Sequence, residues 1–212
     1  MDNYIIKTTI YILKESGITF KLYFSTLLLS IPLGLFLSIL STTKYRFLRI
    51  VIGIYTWIFR GTPLVLQLFF FYFGLAILGF VLKPFPAALL TFVLNYAAYF
   101  AEIFRGGIES IDNGQYEASR ALSISYPNFM TRIIIPQMVK RTLPSVSNEA
   151  INLVKDSALV IVIGLGDILK AAKEILTRDF TIIPFIIAGI IYLILTSVIV
   201  IFFRYLEKRI EF

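Results

Sequence analysis

The stretch TIIPFIIAGIIYLILTSVIVIFFRY, Thr181 to Tyr205, carries no charged side chain before Arg204. A helix rises 1.5 Å per residue, so about 20 apolar residues cross the roughly 30 Å hydrocarbon core of a bilayer. This run is long enough to span unaided. Four further apolar blocks lie upstream, at 18–41, 47–82, 85–104 and 143–165. Lipid offers no hydrogen bonds, so a backbone crossing it must satisfy its own N–H and C=O groups, and each block is expected to be helical. The expected fold class is therefore all-α and integral to the membrane, a single transmembrane domain over residues 1–212 with about five transmembrane helices.

Composition agrees. The 212 residues are 58% hydrophobic and 16% charged, against about half and a quarter in soluble domains. Twenty Lys and Arg against 13 Asp and Glu give a formal charge of +7. The basic residues gather in short segments between apolar blocks, the pattern of cytoplasmic loops and not of a nucleic-acid surface. There is no Cys and no His, so thiolate chemistry, the commonest metal ligand and the usual general base near neutral pH are all missing. No cofactor, metal or catalytic residue is expected. Residues 1–20 show scattered charges without a small-residue cleavage site, so the first block is expected to be retained as a span.

Block 47–82 is too long for one straight crossing and is broken by Arg60-Gly61-Thr62-Pro63. The part before the break is too short to cross alone, so the block is expected to be one interrupted crossing. Pro63 donates no amide and Gly61 loosens the helix; such breaks survive in a membrane where they line a protein cavity. Five crossings leave the termini on opposite sides. Lys44, Arg46 and Arg49, the connection with Arg105, Arg120, Arg132, Lys140 and Arg141, and the tail with Arg204, Lys208 and Arg209 then share one side, assigned to the cytoplasm. The N-terminus is placed outside. Lys7, Lys14, Lys21, Lys170, Lys173 and Arg178 dilute the bias from the other side.

The connection between the third and fourth blocks is about 40 residues, long for a compact membrane protein. Residues 114–136 read as two short helices joined at Ser123 to Pro127, because Pro127 disfavours helix in the residue before it. The second helix, from Phe129, is expected to close at Pro136. By periodicity alone this segment also suits an amphipathic hairpin lying on lipid headgroups.

Charged groups within spans cost at least about 2.5–3.5 kcal/mol each, so those present suggest function. Arg60 and Gln67 are seven apart and share a face if their helix continues; Asn95 and Glu102 are likewise seven apart. In the fourth block Glu149, Asn152 and Asp156 follow i, i+3, i+7, and Asn148, Asn152 and Lys155 follow i, i+4, i+7. Together these make one polar stripe. Internal struts between helices are the plain alternative, favoured for Glu102 near Arg105. A zwitterion fits the chemistry: Arg60 can fork onto a carboxylate, Lys155 adds positive charge, and Glu149 or Asp156 can accept from an ammonium group. That set is near neutral.

Glu117-Ala118-Ser119, then Ser123, then Ile133-Ile134-Ile135-Pro136 resembles the EAA loop of binding-protein-dependent ABC importer permeases, with Ser119, Ser123 and Ile135 replacing the family's Ala, Gly and Leu. Arg60-Gly61-Thr62-Pro63, the run Ala98 to Ile108, Asn148-Glu149 and Lys155-Asp156-Ser157-Ala158-Leu159 are similar to the polar amino-acid uptake branch, glutamine permeases in particular. The resemblance spans about residues 18–210. It implies the type I importer fold, with residues 114–136 as a cytoplasmic helical coupling loop that docks on the ATPase through Glu117, Ala118, Ser119, Ser123, Ile133 and Pro136. It also implies substrate contact for Arg60, Gln67, Asn95, Glu149, Lys155 and Asp156. The implied partners are two copies of an ABC ATPase, a second permease subunit, an extracytoplasmic amino-acid-binding protein and the lipid bilayer, with no nucleic acid. The implied role is a multi-pass inner-membrane subunit that imports a polar amino acid, glutamine first, then arginine or histidine. ATP hydrolysis falls to another subunit, since no G-x4-GK[ST] phosphate loop is present. An ion-driven secondary transporter would share the polar span but would not need the loop, and such folds often carry internal repeats, which are not seen here. A membrane-embedded enzyme is disfavoured by the missing His and Cys.

Overall fold

The computed structural model describes residues 2–210, and all regular structure among the described residues is helical. The first helix, α1, covers Asp2–Ser41; α2 covers Arg46–Gly61. After a break come α3, Leu64–Phe69, a wide π turn over Phe70–Gly74, and the short α4, Leu75–Ile77. Next are α5, Pro84–Glu109, and α6, Asn113–Ala121. A second π turn, Met130–Ile134, joins α7, Tyr126–Phe129, to α8, Ile135–Asp156. A 3-10 turn over Ser157–Ile163 leads to α9, Ile168–Asp179, and α10, Ile183–Ile210.

The helix α5 is the axis of the bundle. In its most apolar window 61% is buried, against 22% in α1 and 17% in α10, and α1, α2, α3 and α8 all pack on it. Phe92, Tyr96, Phe100 and Phe104 recur every fourth residue along α5 with ring centroids 6.0–6.4 Å apart. Between helices in lipid the attraction is close packing, not expulsion of water, so small residues matter. Thr19, Thr26, Ser30, Gly34 and Ser38 make the buried seam of α1. A Cβ at Gly34 would lie 2.6 Å from that of Phe100, so only glycine lets the two backbones approach this closely. Outward, α10 presents Leu193, Val198 and Ile201, each 60–68% exposed, as expected of a lipid-facing side.

Three sequence expectations change. First, the helix assigned to 18–41 begins at Asp2 and is 40 residues long, about twice what a bilayer requires. Its first half packs on α9 and α10 around a second core of Ile12, Ile168, Ala172 and Ile187. Tyr4 donates to Asp179 at 2.9 Å and Tyr11 to Glu174 at 3.0 Å. Arg178, with Tyr4, holds the Asp179 carboxyl down at about 2. Second, block 143–165 is not one straight span. Helix α8 ends at Asp156, the chain tightens into the 3-10 turn, and Gly164 ends that turn with φ +76°. Its polar stripe also keeps α8 out of the set apolar enough to cross by composition, which comprises α1, α5, α10 and the bent pair α2 and α3–α4. Third, Pro136 does not close the second loop helix. The π turn just before it precedes a helix that continues through Pro136 to Asp156. An i→i+5 turn shifts the hydrogen-bond ladder and accommodates a residue with no amide to donate.

Candidate functional site

The interruption at Arg60-Gly61-Thr62-Pro63 is a sharp corner: the two halves of the block meet at 104°. Thr62 (φ −118°, ψ 147°) and Pro63 (φ −61°, ψ 135°) are extended, as the residue before a proline prefers. A broken helix leaves carbonyls without amide partners. Gln67 Nε2 donates to Phe59 O at 2.8 Å and Thr62 O at 3.2 Å, and Asn95 Nδ2 donates to Phe59 O at 2.9 Å and Gln67 Oε1 at 3.0 Å. Gln67 and Asn95 are 7% and 4% exposed, and they staple the corner to α5.

Below the corner opens a cavity of about 580 Å³. The break supplies Arg60, Thr62 and Leu64, α5 supplies Asn95, Tyr96 and Tyr99, α8 supplies Glu149, Asn152 and Asp156, and the 3-10 turn supplies Leu159. Tyr96 donates its hydroxyl to Asp156 Oδ2 at 2.7 Å. The Arg60 guanidinium carbon lies 5.5 Å from the Tyr99 ring centre, a cation–π distance, and Arg60 Nη1 is 3.5 Å from Glu102 Oε2. The wall thus carries one guanidinium and two carboxylates beside aromatic faces, groups that can pair with the charges of a small polar ion.

Of the six residues singled out for substrate, the fold brings Arg60, Asn95, Glu149 and Asp156 to this cavity. Gln67 is not among the lining residues, because the helix turns before it and its amide folds back on the corner. Lys155 is exposed and also absent from the lining; the stripe Asn148, Asn152, Lys155 is not the one the cavity selects. Tyr96 and Tyr99 were missed. Asn95, Tyr99 and Glu102 follow i, i+4, i+7, a signal present in the sequence but hidden because tyrosine reads as apolar.

The segment 114–136 forms a separate feature. Asp112 Oδ1 caps α6 by accepting from Gly114 N at 2.6 Å. The helix ends in paired reverse bonds, Ser123 N to Arg120 O at 3.0 Å and Ile124 N to Ser119 O at 2.9 Å, the Schellman pattern. Ser123 accordingly holds φ at +54°, so this turn does require the left-handed conformation. Tyr116 packs edge-on against Phe129, centroids 5.0 Å apart, clamping α6 to α7; burial raises its hydroxyl pKa. Ser119 is buried and bonds Tyr116 O, and Ile133 is half-buried. Glu117, Ala118, Arg120 and Pro136 are exposed, as are Leu122 (72%) and Tyr126 (53%), leaving α6 largely uncovered.

Comparison with known proteins places these features in context. Residues 30–212 match the family described as binding-protein-dependent transport system inner membrane component. The chain is 39% identical over 203 residues, 95% of its length, to the arginine transport system permease protein ArtQ of Bacillus subtilis (strain 168), of which the match covers 93%. It is 36% identical over 214 residues to the putative glutamine transport system permease protein GlnP of Rickettsia bellii (strain RML369-C), covering 99% and 98% of the two chains. Among solved structures, the crystal structure of an amino acid ABC transporter with histidines superposes with a TM-score of 0.89 at 33% identity, covering 97% of each chain.

Proposed function

Because the chain belongs to the binding-protein-dependent transport system inner membrane component family, as the permease subunit of an amino-acid ABC transporter, we propose that the cavity at the broken helix is where the amino acid passes. The membership makes this a non-enzymatic, multi-pass inner-membrane subunit that works with an ATPase and a binding protein. In the proposed assembly two permease subunits stand on two ATPases and receive substrate from an extracytoplasmic amino-acid-binding protein. The N-terminus lies outside and the C-terminus in the cytoplasm. The exposed α6 face, with Glu117 and Ala118, is the ATPase contact, and Ser119, Ser123, Ile133 and Pro136 shape it. Nucleotide-driven closure of the ATPases then swings α6–α7 and, through α8, the cavity wall.

Within the cavity, Arg60 takes the α-carboxylate, Glu149 and Asp156 take positive groups, and Asn95 fixes the corner that carries Arg60. The observation that carries this reading is the lining itself: one cation and two carboxylates. The near-neutral set inferred from sequence counted Lys155, which the lining omits. A wall one negative charge in excess suits a basic amino acid better than a neutral one; the relatives are named for arginine and for glutamine alike, so the choice of a basic amino acid rests on the charge of the lining. The test is uptake of labelled arginine, histidine and glutamine by the assembled complex in proteoliposomes. Arginine or histidine is expected to exceed glutamine; glutamine uptake equal to or above both would overturn the charge argument.

A further inference from the structure

The charges on α5 do not end at the cavity. Glu102, Arg105 and Glu109 stand at i, i+3 and i+7, one face of the helix, and continue from Arg60. Glu102 Oε2 lies 3.5 Å from Arg60 Nη1 but only 2.6 Å from Arg105 Nη2, and Glu102 Oε1 accepts from the buried Thr56 hydroxyl at 3.2 Å. Arg105 Nη1 in turn holds both oxygens of Glu109 at 2.8–2.9 Å. Glu109 then lines a second cavity, about 340 Å³, together with Arg49 of α2 and Asn113 and Tyr116 of α6. A ladder of alternating charge thus connects the cavity wall to the foot of the loop.

The geometry is lopsided in a way that suggests exchange. Arg60 is the longest of Glu102's three contacts, and its side chain is 43% exposed against 20% for Glu102. Without Arg60, Glu102 still has an opposite charge and a hydroxyl donor, so it is not left buried and unpaired, the case that is costly. Arg60 is therefore free to move to a carboxylate offering a bidentate contact. Once it leaves, Arg105 is the cation remaining beside Glu102, and the whole negative charge of Glu102 falls on the guanidinium that also holds Glu109.

We propose that Glu102 is a positioning residue that holds Arg60 in reserve over Tyr99 and yields it to an incoming ligand carboxylate, so that occupancy of the cavity is reported along Arg105 and Glu109 to α6. This rests on Arg60 as the carboxylate receptor. The chain then senses its ligand through a rearrangement of charge within one helix, in addition to any movement of helices.

The test is ATP hydrolysis by the full complex in proteoliposomes, without ligand and with saturating arginine, with glutamine in parallel. Glu102→Gln keeps the shape and the contact with Arg105 but removes the charge that competes for Arg60. The ligand-free rate is expected to rise and the stimulation ratio to fall about fivefold or more, the low end of ordinary coupling between sites. Thr56→Val keeps every charge but removes the hydroxyl that serves Glu102 when Arg60 leaves, so release becomes harder: the ligand-free rate is expected to stay at or below wild type and the half-saturating arginine concentration to rise, and this variant decides the matter if Glu102→Gln does not assemble, wild-type half-saturation then overturning the proposal. A wild-type ratio in Glu102→Gln, or a ratio lowered only through a weaker stimulated rate, overturns the proposal. Arg60→Ala separates the two readings, since its half-saturating ligand concentration should rise about tenfold or more. Wild-type half-saturation there removes the carboxylate reading and this proposal with it, whereas a raised value alongside an unchanged Glu102→Gln ratio removes this proposal alone.

Discussion

Ser123 shows how much one dihedral decides. The turn after α6 needs a residue at φ +54°, and a Cβ there costs roughly 1–2 kcal/mol relative to glycine. Serine tolerates the position because the Schellman bonds around it fix the backbone. Ser123→Gly is expected to stabilise the loop by about 1 kcal/mol, read as slower proteolysis between α6 and α7 with uptake retained; faster cleavage would mean the turn is not strained. Lys155 gives the opposite lesson. Its spacing with Asn148 and Asn152 is as helical as that of Glu149 with Asp156, but a helix has several faces, and spacing alone does not say which one meets the cavity. Lys155→Ala is accordingly expected to leave the half-saturating arginine concentration within about twofold, since the side chain stands outside the lining.

At the scale of elements, the broken helix depends on two amides. Gln67→Leu conserves volume but removes the donor to Thr62 O and one of two donors to Phe59 O. Leaving a buried carbonyl unpaired costs about 1–3 kcal/mol, so the purified complex should melt several degrees lower; an unchanged melting temperature would show that the corner holds without the staple. At the α1–α5 seam, Gly34→Ala places a Cβ 2.6 Å from that of Phe100. The helices must separate, at a cost of about 1–3 kcal/mol, and reduced assembly in detergent is the expected readout. The corner was legible in the sequence because Gly61 and Pro63 have fixed conformational meanings. The amides that close it were not: by spacing Gln67 continues a face with Arg60, and only the 104° bend turns it back. The end of α8 at Asp156 was likewise hidden, since Ser157 to Ile163 is as apolar as a span and nothing local distinguishes a 3-10 turn from a continuing helix.

For the molecule as a whole, bilayer thickness and hydropathy were enough to establish a helical membrane protein, because both act on long runs and tolerate local error. The loop motif and the polar stripe then picked out two places, the exposed face of α6 and the cavity at the broken helix. Distance in sequence concealed the charges between them, since Arg60 comes within 3.5 Å of Glu102, and Arg49 lines one cavity with Asn113 and Tyr116, only after the helices pack. Glu117→Arg, on the exposed α6 face, is expected to abolish uptake while membrane insertion stays normal; retained uptake would discard α6 as the ATPase contact.

In the proposed pathway a basic amino acid is held between Arg60 and the two carboxylates of α8 on its way through. The most direct measurement is arginine-stimulated ATP hydrolysis by the reconstituted complex carrying Asp156→Asn, a change that keeps size and hydrogen bonding to Tyr96 but removes one negative charge. The half-saturating arginine concentration is expected to rise about tenfold or more, as follows when a charged contact is lost in a partly buried site. Half-saturation at the wild-type concentration would contradict it.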